Sequence, residues 1–282
     1  MHPYLEAVKH TWRLYKRNKV SVAGLILIIF FVAVGIFGPL IAPYNVFETS
    51  TDALSPPSMK HLMGTDDIGR DTFSGVMHGA SISLMVGVIS AFIALIVGIL
   101  LGAVSGYYGG KVDEALMRIA DFFVVIPTTL LLIVIAAIFG PKLLMTAFII
   151  GVLSFRITAR VVRAEFLSWK EREFVESARL SGMSEWRIML MEVLPNIMPL
   201  VIASATLQVA ASMVFEASIS FLGLGDPEFQ SLGYMLYRSQ LIYIRAWWTA
   251  AFPGLMLFLG ALGINVAGEG LNEALNPRLR GR

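Results

Sequence analysis

The stretch Val20–Ile41 reads VSVAGLILIIFFVAVGIFGPLI and contains no ionisable side chain. A helix needs about 20 mostly apolar residues to cross roughly 30 Å of hydrocarbon. The sequence therefore predicts a transmembrane helix here. Runs of similar length occur at Ile82–Val104, Leu116–Phe139, Leu143–Val162, Asn196–Phe221 and Trp247–Leu271. The pattern as a whole predicts an all-α membrane protein with six transmembrane helices.

Composition supports a membrane protein and argues against an ordinary soluble domain, a nucleic-acid binder and cysteine chemistry. The 282 residues are 56% hydrophobic and only 15% charged, which is more apolar than an ordinary soluble domain. A net charge of +2 gives no reason to expect a nucleic-acid partner, and the chain has no cysteine for a disulfide or a thiolate site. The basic segment 1–19 runs into the first apolar stretch without a small-residue cleavage site, so we expect an uncleaved first span.

The distribution of basic residues predicts the orientation. Six crossings place both termini on one side, and that side holds 17 of the 22 lysines and arginines. The positive-inside rule assigns it to the cytoplasm. The predicted organisation is a cytoplasmic segment 1–19, a first helix 20–41, an extracytoplasmic loop 42–81 with a short interfacial helix, a five-helix core 82–271 that includes a cytoplasmic loop 163–195, and a cytoplasmic tail 272–282.

The loop 163–195 has an amphipathic segment. Charged residues alternate there with Phe174, Val175, Ala178 and Leu180, which would share one face of a helix. Amphipathicity alone is equally compatible with a helix on the membrane surface and with a helix that docks on another protein.

Spacing within this loop favours docking. A glycine follows an acidic-small-Ala triplet by four residues, and a Leu-Pro pair closes the loop. The glycine can end a helix at positive φ, small residues allow another surface to approach, and a proline has no N–H to lose at the start of a helix. The pattern resembles the EAA loop of ABC importer permeases, the coupling helix that contacts the ATPase. Its residues are Glu176, Ser177, Ala178, Gly182, Leu194 and Pro195.

A second motif, GTDDIGRD at Gly64–Asp71, precedes the second span. It resembles a signature of the dipeptide, oligopeptide and nickel branch of these permeases, and further resemblance runs in order from about residue 5 to the C-terminus. Its carboxylates could suggest a metal site, but other ligands are lacking and Arg70 would neutralise them, so a structural role is favoured. We expect Thr65 or Asp66 to cap the short interfacial helix. The motif residues are Gly64, Thr65, Asp66, Asp67, Gly69, Arg70 and Asp71.

The resemblance implies a type I ABC importer permease fold in a prokaryotic inner membrane, and the second of the branch's two permeases. It implies a heterodimer with a homologous permease subunit, two cytoplasmic ATPase subunits and an extracytoplasmic solute-binding protein. The implied cargo is a di- or oligopeptide, with nickel, glutathione and oligosaccharide as alternatives. ATP and Mg²⁺ would bind the ATPase subunits, because Gly109-Gly110-Lys111-Val112 lacks the features of a Walker loop.

Three carboxylates lie within the predicted spans: Asp121, Glu216 and Glu269. Ionisable residues in a membrane are costly and are therefore candidates for the pathway or for pairing between helices. Asp121 can pair with Arg118 one turn away or with another helix. An ion-coupled secondary transporter and a membrane enzyme are rival interpretations, but we see neither internal repeats nor a reactive constellation in the sequence. We expect no catalytic residue, bound cofactor or metal in this chain.

Overall fold

The structure is a computed structural model that describes residues 11–275. Over this range the chain forms helices joined by turns, with one isolated bridge between Thr65 and Asp71. Residues 11–17 are helical. The helices that follow are α1 (Lys19–Ile41), α2 (Thr72–Tyr108), α3 (Gly110–Val125), α4 (Thr128–Phe139), α5 (Leu143–Trp169), α6 (Glu173–Leu180), α7 (Glu185–Leu224), α8 (Leu232–Ser239) and α9 (Trp248–Leu275).

Five of these helices, α1, α2, α5, α7 and α9, are long and apolar enough to cross a membrane, and the bent pair α3–α4 makes a sixth candidate. Large apolar side chains stand exposed on them, including Leu40 at 82% and Ile41 at 66%. In a bilayer such side chains face lipid rather than water. The predicted all-α, multi-pass membrane fold is therefore confirmed.

The predicted span Leu116–Phe139 is not one continuous helix. It is divided into α3 and α4, which are bent by 76° at a short break. Ile126 is extended, with φ −78° and ψ 119°, because Pro127 disfavours the helical conformation in the residue before it.

Helices α2 and α5 pack closely along a row of glycines spaced four residues apart. A Cβ atom at Gly98 would lie 2.5 Å from Cβ of Thr158, and one at Gly102 would lie 2.5 Å from the carbonyl oxygen of Ala159. Gly106 continues the row, so the two backbones come into near contact over more than two turns.

The connection Pro43–Asp71 lies at the end of the bundle that we call the loop end. The short interfacial helix predicted within residues 42–81 is absent from this connection, and the helical residues 72–81 are instead the first turns of α2. Neither Thr65 nor Asp66 is the cap. Asp71 caps α2, accepting a hydrogen bond from the Ser74 amide at 2.7 Å.

The opposite end, which we call the elbow end, carries α6 and the described residues nearest both termini. The predicted loop 163–195 is mostly helical there, since α5 continues to Trp169 and α7 begins at Glu185. Within α7, the segment Ile188–Val193 is π-helical and is followed by a regular α-helix from Leu194. Pro195 has no N–H to donate to the Met191 carbonyl, which accounts for the local change of hydrogen-bond pattern.

Candidate functional site

The candidate site is the elbow, residues 173–187, in which α6 turns into α7. The turn is a Schellman motif: the Met183 amide donates to the Ala178 carbonyl at 3.2 Å, and the Gly182 amide donates to the Arg179 carbonyl at 3.1 Å. Gly182 has φ +77°, a conformation that costs glycine little and other residues more. The glycine predicted to end this helix therefore does so.

One face of the elbow is packed into the protein. Val175 is fully buried, and Phe174, Ala178 and Met183 pack beside it. Burial of a side chain such as Val175 contributes about 1.5–3 kcal/mol. The apolar cluster beneath, which we call the elbow cluster, joins the ends of α2, α5 and α7 to α6, so the elbow is held to three spans at once. Its buried members are Ala103, Tyr107, Val162, Phe166, Val175, Ile188, Met189, Val193, Ile197 and Val201.

The other face is open. Glu176, Ser177 and Gly182 are exposed, as the predicted contact with another surface requires. Leu180 was expected on the same face as Val175, but it is 84% exposed at the end of α6. That prediction is wrong because five residues along a helix rotate the side chain away from the Val175 direction. Trp186, which is 51% exposed, adds a second apolar side chain to the open face.

Polar contacts fix the elbow relative to α2. The Tyr107 hydroxyl donates to Oε2 of Glu185, and Arg179 donates to the Tyr107 hydroxyl oxygen at 3.3 Å. Arg179 also lies 3.4 Å from Oε1 of Glu185. Lys170 donates to the Tyr107 carbonyl at 3.4 Å. Sequence reasoning missed Tyr107 and Glu185, because residues 78 positions apart carry no local signal of contact.

The two residues of the closing Leu-Pro pair differ in their exposure. Leu194 packs against the elbow cluster, whereas Pro195 is exposed in the first turn of the regular part of α7. Ala178 was predicted both on the apolar face and in the docking triplet, and it packs against the cluster. Ala178 and Leu194 therefore hold the elbow in place, and Glu176, Ser177 and Gly182 remain available at its surface.

The three intramembrane carboxylates are not brought together. Asp121 pairs with Arg160 of α5 at 2.6 Å, while Arg118 pairs with Glu114 instead. Glu269 is exposed on α9. The structure therefore provides no shared acidic site among the three.

Glu216 is 1% exposed near the loop end of α7. Its Oε1 atom accepts hydrogen bonds from Ser220 at 2.6 Å and from Ser231 at 2.8 Å. Because Ser231 caps α8, this carboxylate connects α7 to α8. Its geometry fits pairing between helices better than a position on an open pathway.

The GTDDIGRD motif makes a set of contacts within the chain at the loop end, which we call the lock. Oδ1 of Asp66 accepts from the amides of Ile68 and Arg70 at 3.0 and 2.8 Å, and Trp248 of α9 donates to the Thr65 carbonyl at 3.0 Å. Asp67 accepts from Arg238 at 3.0 Å. The motif thus ties the loop to α8 and α9.

Burial of this motif shifts the titration of one of its carboxyls. Burial raises the pKa of the Asp66 carboxyl above its ordinary value, although the amides of Arg70 and Ile68 act in the opposite direction. Among residues 11–275, no three His, Cys, Asp or Glu side chains are grouped as a metal ion requires.

Two family models match the sequence. "Binding-protein-dependent transport system inner membrane component" matches residues 98–281, and "N-terminal TM domain of oligopeptide transport permease C" matches residues 8–57. Together they match the whole chain except residues 1–7, 58–97 and 282.

Curated relatives are similar over nearly their full length. The "Di/tripeptide transport system permease protein DppC" of Pseudomonas aeruginosa is 37% identical, over 98% of this chain and 94% of the relative. The "Dipeptide transport system permease protein DppC" of Bacillus subtilis is 37% identical, over 99% and 88%. The "Glutathione transport system permease protein GsiD" of Escherichia coli is 36% identical, over 96% and 90%.

A solved structure shares the fold. A chain of the MetNI methionine ABC transporter, solved in inward facing conformations, superposes with a TM-score of 0.56 over 71% of this chain and 96% of that one. At 21% identity this similarity concerns the fold alone.

Proposed function

The chain belongs to the family of binding-protein-dependent transport system inner membrane components, and from that premise we propose how it works. It forms half of a translocation pathway with a homologous permease subunit. Two ATPase subunits dock at the elbow ends of the pair. A solute-binding protein delivers the cargo at the loop ends.

The elbow carries this proposal. Its open face presents Glu176, Leu180 and Gly182 to a partner, while its packed face rests on the ends of three spans through the elbow cluster. Force applied to the open face is therefore passed to α2, α5 and α7 together. A tightly packed interior transmits displacement rather than absorbing it, so closure of the ATPase pair would tilt these helices and switch access to the pathway.

The proposed orientation places the elbow end in the cytoplasm and the chain in a prokaryotic inner membrane. Basic side chains support it: Arg160, Arg163, Lys170, Arg172 and Arg179 all lie toward the elbow end. The positive-inside rule assigns that end to the cytoplasm. Most basic residues of the segment 1–19 are described and lie at this end, whereas residues 1–10 and the basic end of the tail, 276–282, lie outside the described residues.

Small peptides are the proposed cargo. The relatives named for dipeptides and for glutathione, itself a small peptide, support this class. Nickel and oligosaccharide remain the less supported alternatives. ATP and Mg²⁺ belong, in this proposal, to the ATPase subunits, and the chain contributes no catalytic residue of its own.

Reconstitution tests the proposal. Vesicles that contain the complete complex, with ATP inside and the binding protein outside, should concentrate a labelled dipeptide against its gradient. The same vesicles without ATP should not. Uphill uptake by vesicles containing this chain and its permease partner, but no ATPase subunit, would contradict it.

A further inference from the structure

Arg156 is the central residue of α5 (Leu143–Trp169), which is long and apolar enough to cross a membrane. A cation in that position is costly unless it is paired or faces a polar cavity. The other two arginines of α5 are paired: Arg160 with Asp121 at 2.6 Å, and Arg163 with both carboxylate oxygens of Asp113 at 2.5 and 2.6 Å. Arg156 forms no ion pair with a carboxylate of residues 11–275.

Its side chain instead lines a cavity of about 140 Å³ between α4, α5 and α7. Within residues 11–275 the guanidinium donates only to the carbonyl of Leu153, in its own helix. Four of its five N–H groups are thus left for another acceptor. The cavity therefore holds a fixed positive charge with spare donors.

Further polar groups line the same cavity. Gln208, only 8% exposed, donates to Oγ of the buried Ser212 at 3.2 Å, and both residues face the cavity from α7. Gln208 lies near the middle of α7, with apolar turns on either side. A buried amide at this depth is retained where it orients a polar ligand or pairs helices.

The break between α3 and α4 adds a third feature. Thr128 lines the cavity and is the first residue of α4, and no side chain caps that helix. The free amides of the first turn and the positive end of the helix dipole favour an anion. Half-helices that begin within a membrane bind anionic substrate groups in this way.

We infer that this cavity is a transient site for a carboxylate of the transported peptide. The inference rests on the proposed function. The planar guanidinium of Arg156 matches a carboxylate in shape and charge, and the Gln208 amide supplies a neutral contact beside it. The site would lower the barrier for an anionic group that must leave water to cross the membrane.

The test compares two cargoes in vesicles containing the complete complex. Alanyl-alanine and its C-terminal amide are each supplied at a concentration that saturates the binding protein. Arg156→Gln should slow uptake of alanyl-alanine by about tenfold or more, as expected for loss of a charge-assisted contact, and should change uptake of the amide less than about twofold. Arg118→Gln, in an exposed pair on α3, is the matched control and should change neither rate.

The outcomes separate the inference from the proposed function. Equal slowing of both cargoes would overturn the inference and indicate that Arg156 pairs with the permease partner, and unchanged uptake of both would overturn it as well. If Arg156→Gln does not assemble, Arg156→Lys keeps the charge without the planar fork. It should slow alanyl-alanine selectively by several-fold, and a non-selective effect overturns the inference. Failure of the unmodified complex to take up either cargo would instead overturn the proposed function.

Discussion

Glycines with positive φ occur both at the loop end and at the elbow, but in opposite surroundings. At the loop end, a Cβ on Gly64 (φ +72°) would lie 2.5 Å from Nε1 of Trp248 and 2.7 Å from the Ser55 carbonyl oxygen. At the elbow, a Cβ on Gly182 (φ +77°) would meet nothing within 4 Å. The first glycine is required by contacts within the chain. The second is required only by the positive φ of the turn that ends α6, because the space around it is open.

This difference separates the lock at the loop end from the elbow, which we call the lever because it would pass force to the spans. The polar groups of the loop-end motif form hydrogen bonds within the chain, through Asp66, Asp67 and the Thr65 carbonyl. One face of the elbow packs against the elbow cluster, and the other face is open, with Leu180 exposed at the end of α6. Leu180 and Trp186 are both exposed on the same open face as Glu176, which fits the proposal that another protein covers it.

The largest expected effect is on the lock. Gly64→Ala should destabilise the folded chain by about 3 kcal/mol or more, because it adds both backbone strain and a collision with Trp248. The measurement is the thermal midpoint of the purified chain in detergent. Gly110→Ala, also at positive φ but with open space around its Cβ, is the matched control and should cost clearly less. Equal losses in the two variants would show that the loop end is not locked as described.

The next effect is on the lever. Gly182→Val should leave the chain inserted but reduce the ATPase subunit that co-purifies with it by about tenfold, since a β-branched residue disfavours φ +77° and the turn must change shape. Gly182→Asn should retain most of the ATPase, because asparagine tolerates this conformation. If the Gly182→Val variant yields intact complex with the ATPase activity of the unmodified protein, Gly182 is not part of the docking surface.

A smaller effect is expected from the exposed leucine. Leu180→Ser should weaken ATPase association by about fivefold, as expected when a side chain buried at an interface is truncated, without lowering the thermal midpoint of the chain. Leu241→Ser is the matched control, because Leu241 is 96% exposed at the loop end. Loss of ATPase from both variants, or from neither, would contradict the assignment of the two ends.

The smallest effect concerns pH at the lock. Burial raises the pKa of Asp66 in the folded chain above the ordinary 3.8, so the folded chain holds this proton more tightly than the unfolded chain. The free energy of unfolding should therefore decrease as pH rises above that ordinary value. Asp66→Asn keeps an oxygen acceptor for the two amides and should flatten this decrease, with a change at pH 7 within about 1 kcal/mol. Thermal midpoints measured from pH 4 to 7 would show an unaltered slope if Asp66 is not the source.

Length and apolarity made most of the fold predictable. The first span, predicted as Val20–Ile41, is Lys19–Ile41 in the structure, where Asn18 caps its start and Ala42-Pro43 follow its end. The start of α2 was missed by ten residues. Residues 72–81 are small and partly polar, so their helix is determined by the Asp71 cap and by packing rather than by hydropathy.

Contacts between distant residues were the least predictable. Sequence spacing left the partner of Asp121 open, and only packing of α3 on α5 selects Arg160. Gly182 was predictable because a glycine that ends a helix has a local cause. The outward direction of Leu180 and the cavity at Arg156 depend on how several helices meet, which no single stretch of sequence encodes.

The chain has no cysteine, which permits the most direct test of the lever. Leu180→Cys and Leu241→Cys would each carry one photoactivatable cross-linker in the complete complex. We predict that an ATPase subunit is captured from position 180 and not from position 241. Capture from position 241, or none from position 180 in a complex that transports, would contradict the proposal that the elbow receives the ATPase.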